Sequence, residues 1–167
     1  MIDKIRIISG GQSGADQAGW RAARRFGLET GGWMPRGYLT ENGPRPEFAE
    51  LYGAKEHPSR EYRDRTISNI GLAETTILFG DPRSPGGRLA TSILLDLQLP
   101  YTIVGSPVYA SPAIIARDVV RRNGFISINV AGNRESKTPG IGVWVERYLC
   151  EVFRALGYEE VNGRHAG

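Results

Sequence analysis

Cysteine is almost absent from this chain. Cys150 is the single one among 167 residues, so no disulfide can form within it, and the stapled frameworks of small secreted domains are excluded. Histidine is nearly as scarce, with only His57 and His165. A nitrogen–sulfur metal site needs more such ligands in closer spacing, so no protein-ligated metal is expected. No apolar run is long enough to span a bilayer, which leaves no membrane partner to expect. Excess charge is also small: 21 Lys and Arg against 18 Asp and Glu leave +3. That balance favours anions mildly. With no basic stripe interleaved with aromatics, nucleic acid is not an expected partner. The run Met1-Ile2-Asp3-Lys4 has no signal-peptide character, and with the scarcity of cysteine it leads to the expectation of a cytoplasmic protein.

Glycine, by contrast, is abundant, at 22 residues. The glycines cluster in short loops, and those loops follow strand-like runs. Ile5-Arg6-Ile7-Ile8 ends at Ser9-Gly10-Gly11 and precedes a helical stripe of Ala15, Ala18, Gly19, Ala22, Ala23 and Phe26. Thr75 to Phe79 leads through Gly80 to Gly87 into a helix with Leu89, Ile93, Leu94 and Leu97 on one face. Phe125 to Val130 leads through Ala131 to Gly140 into a helix with Val145, Tyr148, Leu149, Val152 and Leu156 on one face. Further strands are expected at Glu29 to Trp33 and Tyr101 to Val104. Further helices are expected through Tyr62, Thr66, Ile67 and Ile70, and from about Pro112 to Asn123 with Ile115, Val119 and Val120 inward. Strands alternating with helices predict an α/β fold, a Rossmann-like three-layer sandwich around a mostly parallel sheet, in a single domain over residues 1–167.

Loops that leave the carboxyl ends of parallel strands share one edge, where open α/β sheets bind ligands. The first is Gly10-Gly11-Gln12-Ser13-Gly14, followed by Asp16. Its glycines permit a phosphate to approach backbone N–H groups at a helix start. Ser13 and Asp16 also have the spacing of a capping box, so a cap and a ligand contact are both open for them. The second set is Gly86, Gly87, Arg88 and, within the helix, Thr91. The third is Gly132, Arg134, Glu135, Ser136 and Lys137, with Thr138 and Pro139 placed to cap the last helix. The stretch from Pro35 to Pro58 has no period and reads as a long flap over the site. Near it, Trp33 is a candidate for ring stacking and Arg36 for phosphate pairing. Arg60, Arg63 and Arg65 read as a polar helix face.

At these residues the sequence resembles the molybdenum cofactor carrier proteins. They belong to a wider group of Rossmann-like nucleotide-sensing proteins that includes the lysine-decarboxylase-like LOG enzymes. The resemblance runs roughly from Ile7 to Tyr148. It is strongest at Ser9 to Asp16, at Gly31-Gly32-Trp33-Met34-Pro35-Arg36-Gly37, at Arg65 to Asn69 and at Asn129 to Ile141. Family members usually carry Thr at Ser13, Arg at Gln17, Pro at Asn133 and a T-G-G-T loop where this chain has Pro85-Gly86-Gly87-Arg88. The LOG pattern P-G-G-x-G-T-x-x-E matches at Pro85, Gly86 and Gly87, but Leu89, Ala90 and Ile93 stand at the Gly, Thr and Glu. The resemblance implies a non-catalytic carrier for the molybdenum cofactor (molybdopterin) or a nucleotide-like ligand, working as a homo-oligomer, a tetramer or dimer. The alternatives are a LOG-like hydrolase of nucleoside monophosphates and a nucleotide sensor. Trp144, off the inward stripe of its helix, is the residue that suggests a contact surface.

Overall fold

The structure is a computed structural model, and it describes residues 4–105, 109–121 and 126–161. In chain order it runs β1 (Ile5–Ile8), α1 (Ala15–Arg25), β2 (Glu29–Met34), β3 (Leu39–Thr40), β4 (Gly43–Pro44), α2 (Phe48–Tyr52) and β5 (Ala54–Glu56). It continues through α3 (Tyr62–Leu72), β6 (Thr75–Phe79), α4 (Pro85–Asp96), β7 (Tyr101–Val104), α5 (Pro112–Val120), β8 (Ile126–Gly132) and α6 (Ile141–Ala155). Six strands form one sheet in the order β5-β2-β1-β8-β6-β7, and every pairing in it is parallel. This is the Rossmann-like sandwich that the alternation of strands and helices predicts.

The aliphatic runs explain the register. Ile5 and Ile7 of β1 lie beside Ile126 and Ile128 of β8, and Ile77 of β6 lies beside Val130. These side chains join Ala18, Ala22, Val145, Leu149 and Phe153 in the larger core, which α1, α5 and α6 cover. The opposite face carries a smaller apolar cluster of Ile70, Leu78, Ala90, Ile93 and Leu94 beneath α3 and α4. Part of the sheet is polar there: the Asn129 amide donates to Thr76 Oγ1 at 3.3 Å. Buried polar groups keep their partners, and α3 is joined to β2 by the hydrogen bonds of Asn69 with the Trp33 backbone.

Several expectations change. The stretch between Pro35 and Pro58 is not a structureless flap. It folds into the β3–β4 hairpin, the short α2 and the edge strand β5, anchored where Phe48 and Tyr52 pack on the buried ring of Trp20. In α5, Ile115 and Val119 are buried but Val120 is exposed, because the helix ends there and the final residue falls off the inward stripe. Leu97 is likewise exposed, at the end of α4. Asn123 and Phe125 lie outside the described residues. Trp144 is half-buried rather than free, with its ring edge-on to Phe79 and tilted against Tyr148.

The small-residue stripe of α1 allows close approach to the sheet. A methyl group on Gly19 would sit 2.8 Å from the Val130 side chain, whereas one on Gly71, in α3, would meet nothing within 4 Å. Helix propensity favours Ala over Gly by about 1 kcal/mol at either place, and overpacking costs about 1–3 kcal/mol. Gly19→Ala is therefore expected to lower stability, while Gly71→Ala raises it by about 0.5–1 kcal/mol. Urea midpoints at unchanged slope measure both. Shifts of the same sign contradict the packing assigned to α1.

Candidate ligand-binding site

Strands β1, β8 and β6 are neighbours and parallel, so the loops that follow them crowd one edge of the sheet. Gly14 shows how tightly they pack. Its φ is +81°, and a side chain there would run into the backbone of Asn133 and Glu135. The Ala15 N–H donates to the Asn133 carbonyl at 3.2 Å. The Asn133 amide donates to Thr138 Oγ1 at 2.9 Å and its oxygen accepts from Ser84 Oγ at 3.3 Å. One residue thus ties all three loops together.

The first loop is closed rather than open. Gly10 to Gly14 and Asp16 are all buried. The Gly11 N–H donates to Ser9 Oγ, the Gln12 N–H to Asp16 Oδ2 and the Ser13 N–H to Gln12 Oε1. The N–H groups of Gly11, Gln12 and Ser13 are therefore held by the chain's own acceptors in this arrangement, which leaves them less free to meet a phosphate. Nor is Ser13 the cap of α1. Gly14 holds that position without a side-chain bond, and Asp16 reaches back one residue further, to Gln12.

Above Gly10 lies Arg65, whose guanidinium a methyl group on Gly10 would overlap. The polar-face reading holds for Arg60 and Arg63, which are exposed, but is corrected for Arg65, which is only 4% exposed. The geometry of α3 explains this. Asn69 accepts from the Trp33 N–H at 2.7 Å and donates to the Trp33 carbonyl at 2.9 Å, pinning α3 to the end of β2. Arg65 lies one turn before Asn69 and shares its face. Its Nη1 meets Asp16 Oδ2 at 3.4 Å, a long contact, while Nε and Nη2 are buried with no hydrogen-bond partner among the described residues. The Tyr62 ring covers the guanidinium at 3.9 Å. Burial pushes the Asp16 carboxyl above its usual value, despite the opposing pull of Arg65 and the Gln12 N–H. This pair is under-satisfied: a buried cation with two idle donors favours a further anion.

The second and third loops enclose a crevice of about 400 Å³, lined by Tyr62, Ser84, Pro85, Gly86, Leu89, Gly132, Asn133, Arg134 and Lys137. Ser84 caps α4 by accepting the Gly87 N–H at 3.1 Å. Gly86 is exposed at the mouth, and a methyl group there would meet nothing. Glu135, expected to touch ligand, instead accepts from the Gly140 and Gly142 N–H groups and so caps α6. Gly140, not Thr138, precedes that helix, and Thr138 faces Asn133. Arg88 is exposed, and Thr91 donates within α4 to the Gly87 carbonyl; neither lines the crevice. Arg36 is exposed, with its N–H on the Ser59 carbonyl. Trp33 packs edge-on to His57. The site thus gathers Gly86, Gly132, Arg134 and Lys137, and it leaves out Trp33, Arg36, Arg88 and Thr91.

A larger cleft of about 730 Å³ lies across Asn133, between Gly80, Gly105, Tyr109, Ile141 and Trp144. Its cation, Arg83, is paired with Asp81 at 3.0 Å. The smaller crevice is the better anion site, because Arg134 and Lys137 both line it.

The tip of the β3–β4 hairpin brings in Glu41. Its carboxylate accepts from Ser13 Oγ, from Ser136 Oγ and from the Ser136 N–H at 3.1 Å. Its own N–H donates to Gln12 Oε1 at 2.9 Å. Burial pushes this carboxyl up, but the Ser13 and Ser136 donors outweigh it and hold it below the ordinary 4.5. A group held more acidic by the fold contributes stability above its unfolded value and loses it as the pH falls through the folded one. Protection of the hairpin amides, corrected for intrinsic exchange, is therefore expected to hold at neutral pH and to decline as the pH falls below 4.5. In Glu41→Gln it should be low at neutral pH already. Identical profiles for the two proteins contradict the assignment.

With this geometry in place, comparison with known proteins is informative. A family model described as "Circularly permutated YpsA SLOG family" matches residues 7–153. A solved structure from Syntrophus aciditrophicus, named "Putative molybdenum carrier protein", superposes with a TM-score of 0.73 at 28% identity. It covers 90% of this chain and 93% of its own. No curated protein matches. By the span of the match and the fold it shares, this chain belongs to the circularly permuted YpsA branch of the SLOG family.

Proposed function

We propose that this protein binds a phosphate-bearing, nucleotide-like ligand in the crevice between the second and third loops, and that it acts as a carrier without chemistry of its own. The observation that carries the reading is the joint lining of one crevice by Arg134, Lys137, the open Gly86 and the Tyr62 ring. Two cations favour a phosphate, an exposed glycine at a helix start lets it approach the backbone, and an aromatic ring offers a stacking surface for a planar group. Arg65 waits behind Tyr62 with two idle donors.

The molybdenum cofactor is the ligand proposed, on the name of the Syntrophus protein. The residues present fit its phosphate end. Among the described residues no three His, Cys, Asp or Glu side chains gather to hold a metal ion, so the chain would grip the organic part. Homo-oligomerisation belongs to the same reading, with exposed Val143 beside Trp144 as the surface to carry it. So does a cytoplasmic home. Among the described residues no helix is long and apolar enough to cross a membrane.

A hydrolase needs a carboxylate free to act as base. Ile93, at the glutamate position of the LOG pattern, is buried among Ile70, Leu78 and Leu94. Nearby carboxylates are engaged elsewhere: Asp16 with Arg65, Glu135 at the start of α6, and Glu41 on the two serines. These engagements favour binding over catalysis.

The test is competitive. Under anaerobic conditions the protein is offered the molybdenum cofactor and a nucleoside monophosphate, and both affinities are measured. Retention of the cofactor, its slower oxidation, and loss of about tenfold in affinity or more in Arg134→Ala and Lys137→Ala are expected. Much tighter nucleotide binding with unprotected cofactor overturns the carrier reading, and steady release of ribose 5-phosphate overturns the non-catalytic one.

A further inference from the structure

The Glu41 carboxylate sits in a receptor that the rest of the hairpin does not require. The β3–β4 turn closes on its own: Thr40 Oγ1 accepts the Asn42 N–H at 3.1 Å and donates to the Gly43 carbonyl at 2.8 Å. Leu39 is 40% exposed, so the strands add little apolar anchoring there. What holds the tip down is a set of polar contacts to the sheet edge: the Glu41 N–H on Gln12, and the carboxylate on three donors from two other loops. Ser13 is oriented for this role, because its Oγ accepts the Glu135 N–H at 3.1 Å and so turns its own proton toward the carboxylate. Arg134, two residues before Ser136, lines the adjoining crevice.

Two hydroxyls, one backbone N–H and a nearby guanidinium make a receptor for an oxyanion of any origin. A carboxylate presents two oxygens and one charge. A phosphate monoester presents three strong acceptor oxygens and up to two charges. The same donors would bind it more strongly, and Arg134 sharpens the difference. We propose that Glu41 is an internal surrogate that occupies an oxyanion site formed by Ser13, Ser136 and Arg134, and that the phosphate of a ligand displaces it and releases the hairpin. This inference rests on the ligand class proposed above, but it assigns a distinct place for the anion and a movement coupled to its arrival. The hairpin is then a competitor for the site as well as its cover.

A competitor lowers apparent affinity by the fraction of molecules in which it is out of the way. If one molecule in ten is open, removing it raises affinity about tenfold. The probe is inorganic phosphate, titrated into the wild type, Glu41→Ala and Ser136→Ala by calorimetry, with hydrogen exchange of residues 38–45 followed in the wild type. Tighter phosphate binding in Glu41→Ala, weaker binding in Ser136→Ala, and faster exchange of the hairpin at saturation are expected. Equal or weaker binding in Glu41→Ala, unchanged or slower exchange, or no phosphate binding to either protein overturns the inference. The proposed carrier function is judged separately, by cofactor affinity in Arg134→Ala and Lys137→Ala. It can therefore stand while the surrogate role of Glu41 falls.

Discussion

A guanidinium buried against a glycine is the constraint around which this sheet edge is arranged. Arg65 cannot be accommodated unless Gly10 has no side chain, Asp16 turns inward, and Tyr62 lies flat over the remaining face. Each requirement has a consequence. The bare Gly10 brings loop 1 close to α3. The inward Asp16 takes the Gln12 N–H. Tyr62, at the first turn of α3, becomes a wall of the crevice shared with Arg134 and Lys137. A buried cation bound by a single long contact is costly. Its two other nitrogens have no hydrogen-bond partner among the described residues.

Electrostatics at this edge follow from loop crowding. Where α1, α3 and the hairpin tip meet the loops, the cations Arg65, Arg134 and Lys137 gather with the carboxylates Asp16, Glu41 and Glu135. The carboxylates are not interchangeable. Asp16 is buried and pushed toward its neutral form, Glu41 is held ionised by hydroxyl and backbone donors, and Glu135 is spent on the start of α6. Arg134 and Lys137 form no close ion pair among the described residues, Arg134 lies 5.9 Å from the Tyr62 ring centre, and both line the crevice. These two cations are the ones the proposed phosphate would pair with.

The sheet was legible from the sequence because Ile5 to Ile8 and Thr75 to Phe79 are short β-branched or aromatic runs ending at glycine, and few structures other than a buried parallel strand suit them. The convergence of three loops followed from parallel pairing alone. The contents of the site were harder to read. Gly10 and Gly11 look like a phosphate cradle, but a glycine admits a neighbouring side chain as readily as a ligand, and here Arg65 takes the space. Arg65 itself could have been found: the stripe through Tyr62, Thr66 and Ile70 places it beside Asn69 on the inward face. Glu41 had no such signal, since its partners Ser13 and Ser136 are distant in sequence and meet only through the fold. Ser13 and Asp16 had cap spacing, yet the helix began one residue later because Gly14 had to meet Asn133.

The central claim is that a phosphate-bearing ligand enters the crevice between the second and third loops. Backbone amide shift mapping during titration with a nucleoside monophosphate tests it most directly. The account predicts that the largest shifts fall on Gly86, Arg134, Ser136 and Lys137, with saturation at a common concentration. Shifts that centre instead on Tyr109 and Trp144 in the larger cleft, or none at millimolar ligand, would contradict it.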